Sequence, residues 1–218
     1  MTVIYAIPVT KTDPDDPSAR SLIAPDRLEE LDRRHGPARA QGFAATLLLE
    51  YAVAKLFPSI PHPLAISVAE GGKPCLVAQP GVHFSLSHSG AWAVCAVSDH
   101  PVGVDIERRE PGRRDIAARF FHREEVRYLD SLPLYRREDA FYSLWVLKEA
   151  FVKATGRGLL LPLRSFCIRL RADVPTLEYD EADRPYSLAL VPFSDPSYRL
   201  AVCTEEANAK APVLEIMD

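Results

Sequence analysis

The 218-residue chain is poor in cysteine: Cys75, Cys95, Cys167 and Cys203 are the only four. None forms a C-x-x-C pair and none stands at zinc-ligand spacing from a histidine, which argues against a thiolate metal site or a dithiol redox motif. Cys95 and Cys203 fall in apolar, strand-like runs, where a free thiol behaves as a small hydrophobe. A reduced, cytoplasmic setting is the expectation. No apolar run is long enough to span a bilayer. Met1–Ile7 lacks basic residues and a small-residue cleavage site, so it reads as a first strand rather than a leader. Net positive charge is missing too: the formal net charge of -4 gives no global reason to expect nucleic acid as a partner. What remains is a 47% hydrophobic, 26% charged composition typical of a soluble globular protein. The length suits one large domain or two of about 100 residues each, either able to bury a real core.

Hydrophobic periodicity and Pro/Gly punctuation divide the chain coarsely. A proline-bearing loop follows the first strand over 8–17, then helices near 24–35 and 38–57, the second ended by Pro58, Pro61 and Pro63. Strands are expected at 64–69, 74–77, 82–87, 91–97 and 102–107. Helices follow at 115–130 and 137–155, then strands at 164–171, 186–191 and 198–203. A weak repeat is visible. Phe84-Ser85-Leu86 leads to Ala93-Val94-Cys95-Ala96, and Tyr186-Ser187-Leu188 leads to Ala201-Val202-Cys203-Thr204, about half the chain later. A long helix precedes each pair. Two related α+β halves explain this, as does chance similarity between two apolar hairpins.

Charge is concentrated where an ordinary core helix would not carry it. In Trp145-Val146-Leu147-Lys148-Glu149-Ala150-Phe151-Val152-Lys153, the residues Trp145, Glu149 and Lys153 recur every four and share a face. Upstream, Val102-Gly103-Val104-Asp105-Ile106-Glu107 alternates as a strand, with Asp105 and Glu107 on one side, about 7 Å apart. Hard carboxylates without His or Cys nearby favour Mg²⁺, and Glu149 is available as a third ligand. An exposed strand face gives the same pattern. Phe84-Ser85-Leu86-Ser87-His88-Ser89-Gly90 runs a strand into a turn rich in anion-binding donors. Lys73 sits on a Gly/Pro-framed turn, and Lys148 and Lys153 add point charges suited to phosphate. Arginines between 108 and 127 form either a solvated surface or a docking patch for an acidic partner, the pair Arg113 and Arg114 among them.

Taken in order, G-K-P (72–74), F-S-L-S-H-S-G (84–90), G-V-D-I-E (103–107), F-F-H-R-E-E (120–125), W-V-L-K-E-A-F-V-K-A-T-G-R-G-L (145–159) and L-P-L-R-S-F (161–166) resemble the Sfp-type 4'-phosphopantetheinyl transferases, over roughly 70–200. The resemblance implies an α+β pseudo-dimer of two similar halves with the active site at their interface. The halves would be 1–100, contacting the nucleotide, and 101–218, carrying the metal site, carrier docking and the C-terminal tail. It implies Mg²⁺-dependent transfer of the phosphopantetheine arm of coenzyme A, the co-substrate, to a serine of an acidic apo acyl or peptidyl carrier protein. The other product is 3',5'-ADP, and the setting is secondary-metabolite biosynthesis. Mn²⁺ is the substitute metal, and a monomer is expected, with no nucleic acid or membrane partner.

Residue by residue, the resemblance assigns Asp105, Glu107 and Glu149 to the metal and Lys153 to the phosphates, with Lys148 a lesser candidate there. It gives Ser87 and His88 to the 3'-phosphate and Lys73 to the nucleotide. Arg27 fits the first of two basic positions in the first helix, whereas Glu30 stands at the second. Glu149 is the expected base, and Trp145 is expected to pack between the halves. The same acids would also suit a Mg²⁺-dependent pyrophosphate hydrolase, and a non-catalytic coenzyme A or carrier-binding module is the third reading.

Overall fold

The computed structural model describes residues 1–69, 71–110, 112, 116–171, 174–179 and 184–217. Its elements are β1 (Val3–Pro8), α1 (Pro17–Arg20), α2 (Pro25–Asp32), α3 (Pro37–Leu56), β2 (Ile66–Val68), β3 (Pro74–Leu76), β4 (His83–Ser89), β5 (Trp92–Ser98) and β6 (Val102–Arg108). They continue as α4 (Ala117–Phe120), α5 (Arg123–Ser131), α6 (Leu134–Thr155), β7 (Cys167–Arg171), β8 (Val174–Glu178), β9 (Ser187–Val191), β10 (Tyr198–Thr204) and β11 (Val213–Ile216).

The weak sequence repeat has a structural counterpart. In the first half a strand, β1, leads to a long helix, α3, then to the hairpin β2–β3 and the pair β4–β5. In the second half β6 leads to α6, the hairpin β7–β8 and the pair β9–β10. In each, the first strand pairs antiparallel with the last, giving sheet orders β1-β5-β4 and β6-β10-β9. The molecule is thus α+β with a duplicated topology.

Alternation along the strands sets the layers. Val3 and Tyr5 of β1 and Cys95 and Val97 of β5 pack with Leu48, Leu49, Ala52 and Val53 of α3. Their neighbours Ile4, Ala6, Val94 and Ala96 turn the other way, onto Val102, Val104, Ile106, Leu200 and Val202 of the second sheet. The far face of that sheet takes α6 through Leu147, Ala150 and Phe151, with Ala201 and Cys203 beneath. Strands buried on both faces explain the near-continuous apolar runs in β5 and β10.

Two expectations are corrected. The helix expected over 115–130 breaks at Phe121. His122 caps α5 by accepting from Glu124 N–H, and Glu125 reaches back to the His122 N–H, a reciprocal box that fixes a new helix start. The C-terminal tail does not belong to the second half: β11 lies parallel to β1 at the edge of the first sheet, with Glu215 bound to Lys55 2.5 Å away. No element was expected at α1, β8 or β11.

Gly103 is the contact on which helix and strand meet. A Cβ there would fall 2.0 Å from the Ala150 carbonyl oxygen and 2.5 Å from the Ala154 nitrogen, so only a residue without a side chain lets α6 lie directly on β6. Gly103→Ala is therefore expected to cost about 3 kcal/mol of unfolding free energy, at the upper end of overpacking effects. Urea denaturation checks this, and a loss below about 0.5 kcal/mol would show that the contact yields easily.

Candidate active site

Strand β6 and helix α6, brought together at Gly103, carry most of the predicted residues. Asp105 is buried, 5% exposed, on the α6 side of β6. Its Oδ1 accepts from Lys153 Nζ at 2.7 Å and from Ser87 Oγ at 2.8 Å. Lys153 also donates to the Val104 carbonyl at 3.0 Å and, at 3.5 Å, to that of Leu86. Gly156 ends α6 in the left-handed conformation, which leaves Lys153 in the final turn, facing the other half. Glu107 Oε2 accepts from Ser89 Oγ at 2.9 Å.

Glu149, one turn before Lys153, is pushed up to about 7. Burial is the main cause, the Asp105 charge adds to it, Lys153 opposes, and Glu107 adds further. The three acids therefore sense one another. Among the described residues, however, no three His, Cys, Asp or Glu side chains stand close enough to make a ready cage for an ion. What fits a hard cation is narrower: Asp105 Oδ2 is buried and has no hydrogen-bond partner, an oxygen left over after Oδ1 is committed. All nearby donors are oxygens, as Mg²⁺ prefers, and Mg²⁺ usually takes only one or two carboxylates and fills its shell with water and phosphate.

Of these residues, Glu149 and Lys153 border a cavity of about 690 Å³ between the halves, whereas Asp105 and Glu107 lie behind its lining. Glu149, Lys153 and Lys73 form its charged part, while Phe120, Trp145 and Leu163 are among its apolar walls. Lys73 reaches across from the β2–β3 turn to donate to the Val102 carbonyl at 2.8 Å and, more weakly, to Ala154 at 3.4 Å. Burial lowers its pKa to about 8, against smaller upward effects of Cys203 and Glu205. Arg119 and Arg164 also line the cavity, and sequence reasoning assigned neither a role there.

The structure separates the remaining predicted residues. Lys148 is corrected: it is fully buried on the opposite side of α6, donating to Glu125 Oε1 at 2.7 Å and to the Phe166 carbonyl at 2.9 Å, with its ammonium 4.0 Å from the Phe166 ring centre. Five residues of helix put Lys148 and Lys153 on opposed faces, so Lys148 cannot reach a phosphate in the cavity. Ser87 and His88 are split by strand alternation. The Ser87 hydroxyl is spent on Asp105, whereas His88 faces the other way, with a buried Nδ1 that has no partner. Burial first, then the Lys153 and Arg34 charges, lower the His88 pKa, which marks an electropositive surrounding.

Arg27 binds Glu30 and, at 3.3 Å, Thr46 Oγ1, and Glu30 also accepts from Arg34 at 2.8 Å. Glu30 thus ties two arginines rather than opposing one. Trp145 does not pack between the halves. It joins Phe120, Phe121 and Phe141, at ring distances of 6.2, 6.0 and 5.8 Å, and walls the cavity. Arg113 and Arg114 lie outside the described residues, while Arg119, Arg123 and Arg127 are exposed.

Residues 101–203, which hold β6, α6 and the carboxylates, match the family model described as the 4'-phosphopantetheinyl transferase superfamily. A 4'-phosphopantetheinyl transferase of Bacillus subtilis is 42% identical over 158 residues, covering 72% of this chain and 70% of its own length. The 4'-phosphopantetheinyl transferase Sfp of Bacillus subtilis (strain 168) is 35% identical over 185 residues, 84% of this chain and 82% of that one. The solved holo-[acyl-carrier-protein] synthase of Thermotoga maritima aligns with 50% of this chain and 64% of its own at 23% identity, TM-score 0.43. The chain belongs to the 4'-phosphopantetheinyl transferase superfamily.

Two predictions follow from the lysines. Lys148→Met leaves Glu125 a buried carboxylate without its cation, so it should lose about 3 kcal/mol in urea unfolding while coenzyme A affinity, by calorimetry on the folded protein, stays within about twofold. A stable variant with lost affinity would return Lys148 to the phosphates. Lys73 binds fewer protons folded than unfolded between about pH 8, its folded value, and 10.5, its unfolded one. Stability of the wild type relative to Lys73→Met should therefore rise across that window. Thermal melts from pH 7 to 10.5 check the sign, and a flat or falling difference contradicts it.

Proposed function

We propose that this chain transfers the 4'-phosphopantetheine arm of coenzyme A to a serine of an apo acyl or peptidyl carrier protein and releases 3',5'-ADP. One observation carries the reading within its family: a carboxyl poised near neutrality, Glu149, shares a cavity between two halves with a lysine, Lys153, fastened to a buried aspartate. An acid–base group works best with a pKa near the working pH. Phosphoryl-type transfer needs in-line positioning, neutralised charge and a proton acceptor more than covalent help from the protein.

In this reading the carrier serine oxygen forms the new bond to the β-phosphorus, the pyrophosphate P–O bond breaks toward 3',5'-ADP, and Glu149 takes the hydroxyl proton. Lys153 holds positive charge beside the pyrophosphate, its position set by Asp105 and two main-chain carbonyls. Asp105, through its unpartnered oxygen, with Glu107 and Glu149, would hold Mg²⁺ or Mn²⁺, which supplies further neutralisation of phosphate charge. His88 offers its imidazole to the 3'-phosphate, and an anion there would raise its pKa against the burial that now lowers it. Arg27, held by Thr46 and Glu30, serves that end of the nucleotide, and Lys73 contacts the nucleotide part. The apolar walls at Phe120 and Trp145 suit the uncharged arm. Exposed Arg119, Arg123 and Arg127 supply the basic face for an acidic carrier.

Two measurements test this. Incubation with coenzyme A, Mg²⁺ and a panel of apo carriers, followed by mass spectrometry, should show the arm on a carrier serine, whereas free phosphopantetheine with unmodified carriers would favour a pyrophosphate hydrolase. Glu149→Gln should lower kcat by about 100-fold or more, within the range for loss of a positioned acid–base group. Near-normal turnover in that variant would remove Glu149 from both the base and the metal roles.

A further inference from the structure

Three serines of β4, at alternate positions, face the free edge of β6. Their partners are strictly in step. Ser85 Oγ accepts from Val104 N–H at 3.0 Å, Ser87 Oγ from Ile106 N–H at 3.3 Å and Ser89 Oγ from Arg108 N–H at 3.0 Å. β4 and β6 belong to different sheets and different halves. The hydroxyls stand where the carbonyls of a neighbouring strand would stand, and they satisfy the outward donors of β6.

Two of the three rungs do more. The Ser87 hydroxyl donates a hydrogen bond to Asp105 Oδ1 at 2.8 Å, and the Ser89 hydroxyl donates one to Glu107 Oε2 at 2.9 Å. Each hydroxyl therefore forms a short relay of hydrogen bonds from a main-chain N–H of β6 to a carboxylate of the same strand, and such chains strengthen their members. The Ser85 rung reaches no carboxylate. Position 105 shows the consequence: with Oδ1 held by Ser87 and Lys153, Oδ2 is left turned away, buried and without a partner.

We propose that Ser87 and Ser89 are positioning residues that preset Asp105 and Glu107 for a divalent cation, and that the ladder couples the register of the two halves to the aim of those carboxylates. Neither serine touches the ion or the reacting atoms. A hydroxyl is the smallest group that can accept from the strand and donate to the acid at once. Alanine at either position removes both bonds, so that Asp105 Oδ1 keeps Lys153 but loses its hydroxyl partner and Glu107 Oε2 loses the Ser89 hydroxyl. This rests on the metal reading above, with Ser85 as the built-in comparison, since its loss removes a rung between the halves without releasing an acid.

The experiment uses Mn²⁺ as the probe, titrated by electron paramagnetic resonance into the full chain in the presence of coenzyme A. Ser87→Ala and Ser89→Ala should each weaken Mn²⁺ binding about 10-fold, as groups that orient metal ligands do. Ser85→Ala should stay within about twofold, and Ser89→Thr, which keeps the hydroxyl, should recover most of the Ser89→Ala loss. Thermal melts run alongside. If Ser87→Ala does not fold, the half-buried Ser89 pair of variants decides alone. Equal weakening by all three alanine variants, or none by Ser87→Ala and Ser89→Ala while Asp105→Asn abolishes binding, overturns the positioning role. Undiminished Mn²⁺ affinity in Asp105→Asn overturns the metal reading and the proposal with it.

Discussion

The outer edge of β6 is the constraint on which the site depends. A strand at the margin of its sheet carries main-chain donors and acceptors that must find partners when buried. Here they find side chains rather than another strand. Serines of the first half take the N–H groups, and two lysines take carbonyls: Lys73 that of Val102 and Lys153 that of Val104. The same contacts that join the halves thus gather hydroxyls, ammonium groups and, through alternation on β6, the acids Asp105 and Glu107. The chemistry is assembled from the answer to a packing problem.

Helix α6 shows how finely position divides like residues. Lys148 and Lys153 lie in one helix, and both are bound to an acid. Lys148 is completely buried, and its partner Glu125 also accepts from Ile168 N–H at 2.7 Å and from His122 N–H at 2.9 Å. That hub ties α6, α5 and β7, and its full burial keeps the ammonium from a ligand. Lys153 keeps 30% of its side chain exposed and faces the cavity. A fully buried pair whose two carboxylate oxygens and ammonium are all hydrogen-bonded is a structural joint, whereas a partly open pair beside an unpartnered oxygen is one that can rearrange around a substrate.

Much of this was legible beforehand. The strand alternation of 102–107 separates Asp105 and Glu107 from Val104 and Ile106, and the four-residue spacing places Glu149 and Lys153 together. The repeat anticipates the duplicated sheet topology. What escaped notice involves partners distant in sequence. The charge of Lys148 suggests a phosphate contact until Glu125, 23 residues away, is seen to absorb it. Ser87 was read with its neighbour His88 as a unit, although the period of two sends them to opposite sides. The alternation Ser85, Ser87, Ser89 was visible in the sequence, but its meaning requires knowing that β6 lies alongside, a fact of topology that local pattern does not hold. The turn at Phe121 was hidden because the arginines on both sides keep helical spacing across the break.

Electrostatics explains why the arrangement is poised rather than relaxed. Asp105, Glu107 and Glu149 bring like charges together in a partly buried place, with Lys153 the cation bound within it. Glu149, raised first by its burial and then by the Asp105 charge, holds its proton up to about pH 7, which spares the folded chain a further buried negative charge. The group that relieves the repulsion in the free protein is then the group most ready to exchange a proton. A divalent cation would reverse the balance, because positive charge at the unpartnered Asp105 oxygen favours the ionised form of every acid around it. In the proposed reading, occupation of the site and readiness of Glu149 to accept a proton would be linked: a cation that organises the phosphates would also set the protonation of its neighbour, and Ser87 and Ser89, by holding one oxygen of each carboxylate, would determine how strongly that link acts.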